Sequence, residues 1–107
     1  MSWYILTTDN EPVAVSVREA SKWIEDNPER KQIAFDLVED ENSNDVSIST
    51  VFLGLDHSWN NQGLILWETM IFKGEHDQYQ ARYSSYEEAL KGHKYALNLI
   101  KQKDGKK

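Results

Sequence analysis

The sequence predicts an α+β domain, an antiparallel sheet of about four to six strands with two helices packed on one face. Three observations predict it. Several stretches alternate from residue to residue as a half-buried strand does, and the two longest strand candidates are neighbours in the chain. Two other stretches repeat apolar residues at helical spacing, each behind a Ser-x-x-Glu phrase that can cap a helix start. Finally, the strands collect mainly between those two helices, the order in which helices share one side of an antiparallel sheet.

Along the chain, residues 3–7 form a first strand of aromatic and β-branched residues, and Thr8-Asp9-Asn10-Glu11-Pro12 carries turn chemistry. Residues 13–15 resume an extended path, which makes a hairpin. Ser16 stands three before Glu19, and Val17, Ala20, Trp23 and Ile24 then recur at helical spacing, so a helix runs over about 17–26 and stops at Asn27-Pro28. Residues 32–38 alternate, Ile33, Phe35 and Leu37 against Ala34, Asp36 and Val38. After a polar connector at 39–45, residues 46–55 form a long strand with Val46, Ile48, Thr50 and Phe52 on one face. Residues 64–72 form its partner, with Ile65, Trp67, Thr69 and Ile71 opposite Leu66, Glu68, Met70 and Phe72. A short strand at 78–83 follows. The last helix, over about 85–101, begins at Ser84-Ser85-Tyr86-Glu87, and its inward stripe is Tyr86, Ala89, Leu90, His93, Ala96, Leu97 and Ile100.

The chain has 107 residues, one domain's worth, divided here into a folded unit at 1–100 and a basic tail at 101–107 that is expected to be disordered. At 39% hydrophobic and 28% charged it can bury a core and is no disordered polyelectrolyte. No apolar run approaches the roughly 20 residues of a membrane span, and the first residues lack a signal-peptide pattern, so the expected location is cytoplasmic. The absence of cysteine removes disulfides, thiolate metal sites and cysteine nucleophiles. The net charge of −6 divides into −9 for residues 1–100 and +3 for the last seven. Such a body repels phosphate backbones, so no direct nucleic-acid binding is expected.

Chemistry-bearing residues are few. The three histidines, His57, His76 and His93, lack the spacing of a metal motif, and no nucleophile elbow or phosphate loop occurs. No catalytic residue, metal or cofactor is therefore assigned. His93 sits on an apolar stripe directly after Gly92, a glycine whose helical cost of about 1 kcal/mol asks for a packing reason such as close approach of the sheet. An inward His93 calls for a strand side chain as hydrogen-bond partner. Glu68 needs a partner if its face is buried, and Arg82 and His93 are the candidates. The loop at 56–63 sets Trp59 among Asp56, His57 and several amides, as a site for a planar base or a sugar would.

Three phrases resemble the core signature of small bacteriophage and prophage proteins: Ser49-Thr50-Val51-Phe52-Leu53-Gly54-Leu55-Asp56-His57, Trp67-Glu68-Thr69-Met70-Ile71-Phe72, and Arg82-Tyr83 with Glu88-Ala89 and Gly92-His93. The resemblance covers roughly residues 47–93. It departs at both turns, where Asn60-Asn61-Gln62-Gly63 and Lys73-Gly74 stand in place of glycine-rich phrases. It implies a phage origin, hence a host cytoplasm, and by analogy a role against host defence.

The expected function is accordingly that of a phage-type accessory protein, a homo-oligomer, that sequesters a small nucleotide-like ligand. Trp59 would stack on it, while Asp56, His57, Glu68, Arg82 and His93 would supply polar contacts. An acidic decoy module that inhibits a host protein is the alternative. A metal-assisted hydrolase using His57, His76 and His93 with Glu68 as base is a third.

Overall fold

The computed structural model describes residues 2–58 and 63–105. Its strands are β1 (Trp3–Leu6), β2 (Pro12–Val15), β3 (Gln32–Glu39), β4 (Asp45–Phe52), β5 (Trp67–Phe72) and β6 (Gln80–Tyr83). Its helices are α1 (Val17–Asp26), α2 (Pro28–Lys31) and α3 (Tyr86–Gly105). β1 and β2 form an antiparallel hairpin, and β3-β4-β5-β6 form a four-stranded antiparallel sheet in chain order. The α+β expectation is met, with the six strands divided between two sheets.

The local sequence accounts for the helix starts and for the end of α1. The two long strands expected at 46–55 and 64–72 are shorter, ending at Phe52 and beginning at Trp67. Ser16 Oγ accepts from Glu19 N while Glu19 Oε1 accepts from Ser16 N, closing the box that starts α1. At its end Asn27 bonds back to the Trp23 carbonyl through both its backbone N–H and its side-chain amide. Pro28 then opens the single turn of α2, which periodicity does not announce because four residues show no period. Arg30 of α2 donates to Thr7 O and Asn10 Oδ1 and lies over the Trp23 ring, tying the β1–β2 turn to α1. The cap of α3 lies one residue later than the sequence phrase suggests. Ser85 Oγ accepts from Glu88 N, and Glu88 Oε1 accepts from Ser84 N.

One face of the four-stranded sheet is covered. Val46, Ile48, Thr50 and Phe52 of β4 and Trp67, Thr69 and Ile71 of β5 are all buried there. Against them pack Ala89, His93, Ala96 and Ile100 of α3, while Trp23 of α1 meets the Phe52 ring edge-on. The register lines up four small side chains across this face, Ala34, Thr50, Thr69 and Ala81. Small residues in a row let a helix come close. On α3, a methyl group at Gly92 would fall on the ring and hydroxyl of Tyr83, which explains the glycine in mid-helix. The close approach is to a side chain of β6 rather than to sheet backbone.

The opposite face is open. Phe35 and Leu37 of β3 are 52% and 63% exposed, and Phe72 of β5 is exposed as well. Past the register shift at Gln32/Ala34, Phe35 and Leu37 of β3 thus point away from the core while Ile33 packs against it, and the other face carries Ala34, Asp36 and Val38 towards α3.

Candidate functional site

The polar row on the covered face is where the buried chemistry lies. His93 is 6% exposed. Its Nδ1 is 2.7 Å from Thr50 Oγ1, and its Nε2 is 2.8 Å from Asp36 Oδ2. Thr50 Oγ1 is in turn 2.5 Å from Thr69 Oγ1. A carboxylate only accepts, so Nε2 carries a proton and donates to Asp36. With a neutral imidazole, Thr50 donates to Nδ1 and Thr69 to Thr50. Four side chains from β5, β4, α3 and β3 therefore form one directed chain, which satisfies the polar groups that the core would otherwise strand. Tyr83 lies beside it. Burial pushes its phenol pKa up, Thr69 offsets part of that, and its hydroxyl otherwise has no hydrogen-bond partner among the described residues.

The chain of bonds ends at the surface. The Asp36 side chain is 44% exposed, because α3 packs least against the edge strand β3. Between them runs a groove of about 420 Å³, floored by Ala34, Asp36 and His93 and walled by Leu90 and Leu97, with Lys91 and Lys94 at its rim. That size and mostly apolar lining suit a small ligand. Catalysis is less well served: Thr50 is fully buried, and both imidazole nitrogens of His93 are occupied.

The residues singled out from the sequence are spread over three places. Glu68 lies on the open face, where Gln80 Nε2 and Arg82 Nε donate to its Oε2, the latter at 3.0 Å. Arg82 is thus the partner of Glu68 and His93 is not, because odd and even positions of β5 face opposite sides. His93 is beneath α3. Asp56 belongs to the loop beyond β4 and holds that loop together: its carboxylate accepts from Ser58 N, Ser58 Oγ and Ile65 N. Burial alone would raise the Asp56 pKa, but these bonds and the neighbouring His57 outweigh it and hold the carboxyl below its ordinary value. His57 is half-buried, with its backbone N–H bonded to Ile65 O. Trp59 lies outside the described residues, as do Asn60, Asn61 and Gln62. His76 lines a small cavity with Asp40, Glu41, Val46 and Ile100, and is not among the residues bonded to His93. Among the described residues, no three His, Asp or Glu side chains gather as metal donors.

Asp36, Thr50, Thr69, Lys91 and Lys94 were not singled out from the sequence. A signal for the first three exists. Each is the polar exception on the core-facing side of its strand, and three such exceptions on strands facing a helical histidine mark a buried polar row.

No protein-family model, curated protein or solved structure matches the chain. Among the described residues, no helix is long and apolar enough to cross a membrane.

Proposed function

We propose that this protein acts by binding a small nucleotide-like ligand, without transforming it, in the groove between α3 and β3. The observation that carries this reading is the position of Asp36. It is a half-exposed carboxylate on an apolar floor, fixed by a buried hydrogen-bonded chain. A heterocycle lying on Ala34, Leu90 and Leu97 would donate ring or amino N–H groups to Asp36. Its anionic group would meet Lys91 and Lys94 at the rim, which lends local positive charge to an acidic chain. The ligand site is therefore placed here rather than on Trp59, Asp56, Glu68 and Arg82. A phage-type accessory role that withholds such a ligand from host defence belongs to the same proposal and rests on the resemblance of residues 47–93.

The test is unfolding temperature and NMR chemical shifts in the presence of nucleoside monophosphates and cyclic dinucleotides. Binding to the folded state raises the unfolding temperature, and Lys94→Glu, at an exposed position, should abolish the gain without altering the unliganded fold. If none of these compounds stabilises the protein, the proposal is wrong.

A second reading, an acidic module that inhibits a basic host protein, is favoured by one observation. Glu39 and Asp45 stand directly opposite each other across β3 and β4 on the open face, with no ion-pair partner among the described residues. Capture of such a partner should weaken steeply with salt.

A further inference from the structure

The groove between α3 and β3 has a polarity that narrows what it can hold. Its floor carries two polar side chains, Asp36 and His93. Both imidazole nitrogens of His93 are engaged, Nδ1 with Thr50 and Nε2 with Asp36. The ring therefore has no N–H left for a ligand. A carboxylate has about four acceptor positions on its two oxygens. On Asp36, His93 takes one position of Oδ2, and Oδ1 accepts no hydrogen bond from any described residue. The floor thus presents two acceptor oxygens side by side and no side-chain donor. Lys91 and Lys94, the donors lining the groove, are exposed at its rim.

The bond from His93 also sets the direction in which these acceptors point. The Asp36 side chain is half-exposed and would otherwise turn freely about its last torsion. His93 is buried and held in turn by Thr50, so its Nε2–H anchors Oδ2. The carboxylate is therefore oriented before a ligand arrives, which reduces the ordering cost of binding.

We propose that the base this groove takes is guanine, an inference that rests on the reading of the groove as a nucleotide site. Guanine carries two donors, the N1–H and one hydrogen of the 2-amino group, adjacent and parallel on one edge. They match the two oxygens of a carboxylate as a bidentate pair. The other common bases do not. Adenine and cytosine each set a ring-nitrogen lone pair beside the amino group, so one oxygen of Asp36 gains a bond and the other faces a lone pair. Uracil and thymine hold a single ring N–H between two carbonyls, which turns lone pairs towards the carboxylate on both sides. Selection is thus partly repulsive, and the wrong bases are rejected by the same oxygens that hold the right one.

The rest of the groove suits the rest of a guanine nucleotide. Ala34, Leu90 and Leu97 supply apolar surface for the faces of the purine. Lys91 and Lys94 are three apart on α3, hence neighbours on its surface and able to share one phosphate. Lys91 stands 4.0 Å from Glu87, whereas Lys94 has no ion-pair partner among the described residues. An acceptor floor and a cationic rim orient the ligand, base inward and phosphate outward.

Titration calorimetry of the full chain decides the matter. The ligands are the 5′-monophosphates of guanosine, inosine, adenosine and xanthosine, and the cyclic dinucleotides of guanine and of adenine. Guanine should outbind adenine roughly 10-fold to 100-fold in either form, the discrimination of a bidentate contact to a base edge. Inosine monophosphate, which lacks the 2-amino group, should fall between them. Asp36→Asn keeps an oxygen for His93 Nε2–H and turns the other acceptor into an amide donor, which matches the N1–H and 2-carbonyl of xanthine. That variant should lose the preference for guanine and gain affinity for xanthosine monophosphate, a reversal that unfolding cannot imitate. The series on the unaltered protein stands even if the variant fails to fold. Adenine ligands that bind as tightly as their guanine counterparts overturn this inference and leave the nucleotide reading of the groove intact. A guanine preference that persists in folded Asp36→Asn overturns it as well. If none of the ligands binds, the reading of the groove falls and this inference with it.

Discussion

The two faces of the four-stranded sheet share strands, register and backbone, yet they are built on different rules. On the covered face, large residues fill the two ends, with Phe52 and Trp67 at one and Ile48 and Ile71 nearer the other. Between them a row of small and hydroxyl-bearing residues receives α3. There every polar group of the row has a partner within the protein. On the open face the apolar residues Phe35, Leu37 and Phe72 are exposed, and Glu68 pairs with Arg82. The difference teaches that polarity does not decide which face is buried. Asp36 faces the helix and Leu37 faces away, because β4 and β5 fix the inward parity and β3 must follow the register of β4.

The sharpest way to break this contrast is to remove the same residue type from each face. Phe52, 0% exposed, sits between the Trp23 and Trp67 rings. Phe52→Ala should cost ~3–5 kcal/mol in denaturant unfolding, from lost transfer energy and an unfilled cavity. Phe35→Ala should cost at most about 0.5 kcal/mol in dilute solution. Equal costs would mean that the open face is not open.

A smaller effect separates the polar residues of a single strand. Thr50→Val leaves His93 Nδ1 and Thr69 without their partner, and should destabilise the protein by ~1–3 kcal/mol. Ser49→Ala, one residue away on the open face, removes only a bond from Gln32 and should be close to neutral. Hydroxyl deletions of equal cost would remove the distinction drawn between a buried row and a solvated one.

The smallest effect lies past the end of β4, where Asp56 ties the loop to Ile65. Its folded pKa is depressed, so the stability it contributes is present above the ordinary carboxylate value of about 3.8 and is lost as pH falls through the lowered value. Acid unfolding followed by fluorescence should therefore be displaced in Asp56→Asn, which loses this dependence, and should leave the difference between the two faces unchanged.

Much of the fold was legible because local chemistry set it. The box at Ser16 and Glu19 and the stop at Asn27-Pro28 delimit α1 at the bounds the spacing predicts. The pairing of β4 with β5 and the inward set Val46, Ile48, Thr50 and Phe52 follow from alternation alone. The candidate site was less legible, because it depends on which parity of each strand meets the helix. Glu68 looked like a neighbour of His93, and only the register shows that the two lie on opposite sides. Asp36 looked like the solvated side of a half-buried strand until that side proved to face α3. The packing need behind Gly92 was visible in the sequence, but its partner Tyr83 was not, since that contact joins β6 to the middle of α3.

The bonded chain from Thr69 to Asp36 also has a meaning in time. Its residues are far apart along the polypeptide, 57 positions from Asp36 to His93 and 43 from Thr50 to His93. A ribosome making this chain delivers Asp36, Thr50 and Thr69 before the imidazole that joins them. Until α3 emerges, a sheet already able to pair carries two undressed surfaces, one of them with hydroxyls in place and no histidine to accept from them. The face that α3 covers stays open until the helix docks, and until then the hydroxyls of Thr50 and Thr69 have no imidazole to bond.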